Sequence, residues 1–474
     1  MKSAGLTTFA LVMLITGAVD SVRNLPAASL FGSTLIFFFI FSAIVFLIPT
    51  ALVSAELTAS SSEKSGIYHW VRSAFGDKAA FLAIWLQWVS NLVWFPTMLS
   101  FVAGMTAYLF DPSLAQNKFY LVSVILATFW LLTLFNTKGL QVSAKMTSFC
   151  TLFGLALPML LIIALAIVWI IKGNPVQIHF TLGNILPSFT HVNSWISLTA
   201  IMTAFAGMEL SAVHIKDISN PQKTYPRALF ISVWLILVTM ILGSLSIAVV
   251  LPQSQISLVN GVMQSFAAFM HAYHIDWFTP VIAFMLLLGS LGGIVSWVIS
   301  PAKGLLQAAQ IGYLPEFLQK VNEHGVAVNL LITQAVIVSL VCCGFLLMPS
   351  ISGSYWLMTA LSTQLYILMY VMMFVSALWL RFKKPQSAKQ IKNPTFKIPG
   401  GKFGIWAVCI LGFIGCGITL AVGFFPPDGI DVGSVWHYEM LFCSGMLAMI
   451  MPVLGFYYYK NRKQAIKLIP VTES

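Results

Sequence analysis

The stretch GAVDSVRNLP, residues Gly17 to Pro26, puts an aspartate, an arginine, an asparagine and a proline into an otherwise apolar segment. The apolar run before the aspartate, Leu6 to Val19, has 14 residues. At about 1.5 Å per residue it covers about 21 Å of a hydrocarbon core roughly 30 Å thick. The polar group therefore falls inside the bilayer. Backbone leaves the helix at that depth only where it is buried in protein or lines a cavity, and a charge there is costly enough to be read as functional. A small-solute binding site is the first expectation.

Composition puts the remainder of the chain in the membrane as well. Of 474 residues 59% are apolar, 13% aromatic and 8% charged, where soluble proteins carry about a quarter charged residues. Twelve apolar stretches are each about long enough to span: 6–31, 34–55, 79–109, 119–136, 146–171, 195–215, 226–251, 277–299, 327–348, 355–380, 404–425 and 437–459. The net charge of +11 does not point to nucleic acid, because 22 of the 25 Lys and Arg fall in the termini, in alternate loops or at the edge of the spans those loops join. Lys118 and Lys172 lie in the opposite loops and Arg23 within the first span. That asymmetry predicts a multi-pass protein of the cell membrane with both termini cytoplasmic. The first apolar segment is too long for a signal-peptide core and reads as a retained helix. The six cysteines lie in apolar spans without metal-ligand spacing and read as packing residues. Neither a metal nor a cofactor is expected.

The sixth stretch repeats the irregularity of the first. After Trp195 to Phe205 come Ala206, Gly207, Met208 and Glu209, so a carboxylate again follows a glycine deep in a span, with a proline some residues on. Interrupted helices at corresponding positions, five spans apart, point to a transporter built from two five-helix inverted repeats with its site between them at mid-membrane. The expected fold is thus all-α: ten helices in a 5+5 inverted repeat over 1–380, a basic cytoplasmic loop over 381–403, two C-terminal helices over 404–459, and a short tail over 460–474. Residues 63–76 and 301–329 have amphipathic character and are expected on the cytoplasmic surface. Pro-Gly-Gly-Lys at 399–402 lacks the phosphate-loop pattern and reads as a turn.

Six segments in order, VRNLPAASLFG (22–32), FLIPTALVSAEL (46–57), SGIYHWVRSAFG (65–76), GMELSAVHIKDISNPQKTYPRA (207–228), ISPAKGLLQAAQIGYLP (299–315) and FKIPGGKFG (396–404), resemble the amino acid-polyamine-organocation (APC) superfamily over essentially the whole chain. More narrowly they resemble its glutamate/GABA antiporter branch. The resemblance implies a LeuT-like fold of twelve helices and alternating access for amino acids. Asp20 and Arg23 together in the first break are not general in the superfamily.

In the first break the amides opening the outer half-helix, after about Asn24, suit a substrate carboxylate, since they lack intrahelical acceptors and carry the positive end of the dipole. Gly17, Ala18 and Ser21 would bring backbone to the ligand. Arg23 could add a bidentate clamp, or could merely neutralise Asp20. In the second break Phe205, Ala206 and Gly207 take the corresponding places, and Glu209 either meets the substrate or braces the unwound segment. His214 and Asp217 follow as gate or interface residues. Spans 3 and 8 should complete the cavity, with Trp88, Trp94, Phe95 and Trp297 as wall or aromatic gate, and Gly289 to Gly293 as a packing surface. Span 5 has no Asp, Glu, Lys, Arg or His, whereas proton-coupled members of the superfamily look as if they carry a lysine there, which favours exchange over symport.

The expected function is antiport of an acidic or neutral amino acid against a related amino acid or amine. A proton-coupled symporter is the alternative, and an integral membrane enzyme the alternative of another class; no nucleophile-base pair or metal cluster supports the latter. The expected partners are small amino acid substrates and membrane lipid, with a homodimer left open and no nucleic acid.

Overall fold

A computed structural model describes residues 8–60, 66–138, 149–150, 152–188, 192–209, 221–309, 311–383 and 396–467. Among them there are helices and turns and no strands. Lipid offers no partner for a backbone amide, so each crossing must satisfy its own hydrogen bonds, and long helices do this. Nine described helices are long and apolar enough to cross: α3 (Gly32–Ser60), α5 (Asp77–Phe110), α6 (Lys118–Thr137), α7 (Leu152–Ile171), α9 (Gln222–Val250), α12 (Val328–Leu347), α13 (Ile351–Phe382), α14 (Gly401–Val422) and α15 (Val435–Lys463). The stretch expected over 277–299 opens in the 3-10 turn Asp276–Phe278 and continues in α11 (Thr279–Ala309).

The two remaining expected spans are not continuous helices. α1 (Thr8–Val19) stops at Asp20, whose amide still bonds the Thr16 carbonyl at 2.8 Å. Ser21 is extended, a 3-10 turn covers Val22–Asn24, and α2 (Leu25–Ser29) follows with Pro26 in its first turn. Proline is tolerated there because that turn's amides lack helical acceptors anyway. In the sixth stretch α8 (Ser197–Phe205) ends at an extended Ala206, and Gly207 has φ +98°. That left-handed conformation suits glycine and strains other residues.

Burial sorts the helices. α5 is lined by core residues along most of its length and packs against α11 and α13, while α1 packs on α9. The outward faces of α7 and α15 expose Leu160, Ile167, Trp436, Leu447 and Leu454, as lipid contact requires. The surface helix expected over 63–76 is α4 (Ile67–Phe75), which buries Ile67, Tyr68, Trp70 and Val71. Between α11 and α12 the described part of 301–329 holds a 3-10 turn, Glu316–Leu318, and no separate α-helix. Instead α11 runs on to Ala309, because Val298, Ala302, Leu305 and Ala309 continue its buried stripe at three- and four-residue spacing. A helix not anticipated from the sequence, α10 (Gly261–Ala272), lies between α9 and α11.

The segment Phe396–Pro399 before α14 forms a strap. Lys397 exchanges two backbone bonds of 2.9 Å with the Gln222 side chain at the start of α9. The Phe396 ring meets Tyr225, whose hydroxyl donates to the Ala51 carbonyl of α3. The Ile398 amide donates to Glu56 Oε2 at 2.7 Å, and Arg381 of α13 pairs with Glu56 Oε1 at 2.6 Å. The turn expected at 399–402 follows, with Gly400 and Gly401 at positive φ.

Candidate functional site

The two breaks face each other across a cavity of about 190 Å³. At about 30 Å³ per water, that is room for about six waters, the scale of a small solute. The wall comes from the α1–α2 break, from α5, α7 and α11, from the end of α8 and from the middle of α13.

Arg23 is buried in this wall and has no carboxylate partner among the described residues. Its Nη1 donates to Thr97 Oγ1 at 3.1 Å and to the Tyr355 hydroxyl at 3.2 Å, while the guanidinium carbon lies 5.3 Å from the Trp94 ring centre. Its Nε has no hydrogen-bond partner. The charge is solvated by dipoles and a π face but not cancelled, so the site has an unspent preference for an anion.

Asp20 does not pair with Arg23. Its carboxyl is turned against α9, where Oδ2 lies 2.8 Å from Thr239 Oγ1, and Oδ1 is sealed without a partner. An internal ion pair between the two residues is therefore not what the fold builds. The free amides also sit earlier than expected: Asn24 and Leu25 donate to the Ser21 and Val22 carbonyls, which leaves the open end of the turn at Val22 and Arg23.

In the second break Glu209 lies behind the cavity wall. Oε1 accepts from the Tyr366 hydroxyl at 2.7 Å and Oε2 from the Tyr370 hydroxyl, and Tyr370 in turn accepts the Gly207 amide at 2.8 Å. Gln87 reaches Glu209 Oε1 at 3.4 Å. The carboxylate thus reaches the unwound backbone through a tyrosine, and Tyr366 and Tyr370 present their rings to the cavity.

The other anticipated residues separate into two groups. Gly17, Ser21, Asn24, Ala206, Gly207, Trp94 and Trp297 line the cavity, with Trp94 and Trp297 ring centres 5.4 Å apart. Gly17 lies inside α1 rather than at the break, and a Cβ there would meet open space. Trp88, Phe95 and Phe205 are not wall residues. The Trp88 indole donates to Gln334 at 3.0 Å, Phe95 packs on Phe129 and Phe205 on Phe39. An aromatic at a cavity-facing helix still has only one side toward the cavity, and sequence spacing did not tell which. His214, Asp217 and the side chain of Ala18 lie outside the described residues.

Thr97, Tyr355, Tyr366, Tyr370 and Gln87 were not singled out from the sequence. The signal available was a tyrosine pair four apart in the tenth span, which puts both hydroxyls on one helix face.

Residues 6–449 match the family model for amino acid permeases. The chain belongs to the amino acid permease family, within the APC superfamily. This permease is 31% identical over 471 residues to the glutamate/gamma-aminobutyrate antiporter of Lactococcus lactis, covering 98% of the chain and 92% of that protein. It is 40% identical over 445 residues to an uncharacterized transporter of Legionella pneumophila, covering 94% and 95%. A probable agmatine/putrescine antiporter of Lactococcus lactis is 24% identical over 371 residues, 77% of each chain. Among solved structures, a manganese transporter of Eremococcus coleocola superimposes with a TM-score of 0.56 at 13% identity, covering 95% and 94%. The fold is LeuT-like, and the permease is a membrane transporter rather than an enzyme.

Proposed function

We propose that this permease exchanges amino acids across the cell membrane by alternating access, taking an acidic or neutral amino acid at the two breaks against a related amino acid or amine. The observation that carries the reading is Arg23, a buried guanidinium in the cavity wall with a free Nε and, among the described residues, no carboxylate partner. A substrate carboxylate supplies the missing anion. Val22 and Arg23, which open the 3-10 turn, also line the cavity that would hold this anion, and Glu209, through Tyr370, braces the second break. Similarity to antiporters named for glutamate and gamma-aminobutyrate supports exchange of this class. The charge asymmetry of the loops supports an orientation with both termini in the cytoplasm.

Counterflow in proteoliposomes tests the proposal. With labelled glutamate, glutamine or gamma-aminobutyrate outside, label should accumulate only when an unlabelled substrate is inside. Equal accumulation in empty vesicles would replace exchange with uniport or symport.

A further inference from the structure

Asp20 is nine-tenths buried, at 9% exposure, in a break that faces the cavity, and its carboxyl is directed away from Arg23 into the α1–α9 contact. The groups around it are few. α1 from Thr8 to Val19, α7 from Leu152 to Ile171, α8, and α9 from Phe230 to Val250 contain no ionisable residue. Arg23 turns to α5 and α13, and Glu209 with Tyr366 and Tyr370 forms a separate closed network. The donors turned to Asp20 among the described residues are the Thr239 hydroxyl and the Ser21 amide.

Proton counting decides what the Asp20–Thr239 contact is. Thr239 has one hydroxyl proton, and its Oγ1 lies 2.8 Å from the Leu235 carbonyl as well as 2.8 Å from Asp20 Oδ2. A carbonyl can only accept. Thr133, Thr106 and Ser246 in this protein give their protons to the carbonyl four residues back. If Thr239 does the same, two oxygens at 2.8 Å have one proton between them only when Asp20 supplies it. The other arrangement leaves an ionised carboxylate in the membrane interior with no cation beside it among the described residues and Oδ1 without a donor, which burial strongly disfavours.

We propose that Asp20 is a proton-binding site of the transport cycle: it carries a proton in the conformation described here, donated to Thr239 Oγ1, and releases it to water when the cavity widens enough to wet Oδ1. No bond other than O–H is made or broken, and the proton passes between carboxyl and water. The inference rests on the exchange reading of the same cavity and adds a proton to it.

The test is a proteoliposome assay that follows labelled substrate by counterflow and internal pH by a trapped fluorescent indicator in the same vesicles. Wild-type protein should show substrate-dependent proton movement, and its rate should fall about tenfold per pH unit beyond the midpoint of the profile. Asp20→Asn should remove proton movement per substrate carried and flatten that profile. Thr239→Val gives the sign. If Asp20 donates to Thr239, losing the acceptor weakens the protonated form and moves the midpoint to lower pH; if Thr239 donates to a carboxylate, the midpoint moves to higher pH and the proposal fails. Counterflow without proton movement in the wild type also overturns it while leaving exchange intact, whereas absence of counterflow overturns the exchange reading. Should Asp20→Asn fail to insert, the wild type and Thr239→Val decide.

Discussion

Arg23 donates to two neutral oxygens and faces an indole, so removing it strands no carboxylate. Arg23→Ala should therefore cost substrate binding about 2–5 kcal/mol, the range for losing one member of a desolvated charged contact. Adding Asp20→Ala should not restore it. Equilibrium binding of labelled substrate to detergent-purified protein measures both, and recovery in the double variant would mean that Arg23 only neutralised Asp20. Glu209 behaves differently. Both its oxygens accept, from Tyr366 and Tyr370, so Glu209→Gln keeps one acceptor and turns an amide donor on the other hydroxyl. Binding should survive, weakened by about 1 kcal/mol, and Tyr370→Phe, which also strips the Gly207 amide of its partner, should cost about 1–3 kcal/mol of stability by thermal melting. Asp20, Arg23, Gly207 and Glu209 were legible in the sequence because a charge or a glycine inside an apolar run violates the rule of the run. Tyr355 and Thr97 violate nothing locally; only the fold brings them to Arg23.

Between elements, backbone meets backbone closely where α7 crosses α11. A Cβ on Gly289 would stand 2.5 Å from the Gly154 backbone, and one on Gly154 would stand 2.1 Å from the Gly289 Cα. Gly154 lies in the π-helical turn Leu152–Ala156, and both glycines line the cavity. Backbone cannot yield as a side-chain tip does, so Gly289→Ala must push the two helices apart. The expected cost is about 1–3 kcal/mol in thermal stability, with slower counterflow; an unchanged melting curve would show that the crossing is looser than drawn. The glycine-rich 289–293 segment was readable as a packing surface. Its partner was not, because the π turn in span 5 leaves no mark on an almost wholly apolar sequence. The extension of α11 to Ala309 was missed for a related reason: the loop-like run Pro301 to Gly304 hides a buried stripe that continues from inside the span.

For the molecule as a whole, the asymmetry of Lys and Arg predicts one orientation. A cysteine introduced at Ser254 should react with an impermeant maleimide added outside intact cells, and one introduced at Lys389 should not, judged against the parent, in which Cys343 and Cys443 are already exposed on the protein surface. The reverse pattern would invert the map. Hydropathy alone located the spans, since every crossing must be apolar; the breaks were legible as exceptions to that rule, and the contacts that lace distant spans together were not. The strap at Phe396–Pro399 is such a lacing. It fastens the ends of α3 and α9 to one four-residue piece of backbone, and α13 joins them through the Arg381–Glu56 pair. Segments riveted at a shared point travel as a single plate, so in the proposed alternating access the door on that face is hung from the short helix α1, which the rivets leave free. Its pivot is the first break. A solute held there sits on the hinge pin, where a small difference in grip between the two positions of the door is enough to decide which way it swings.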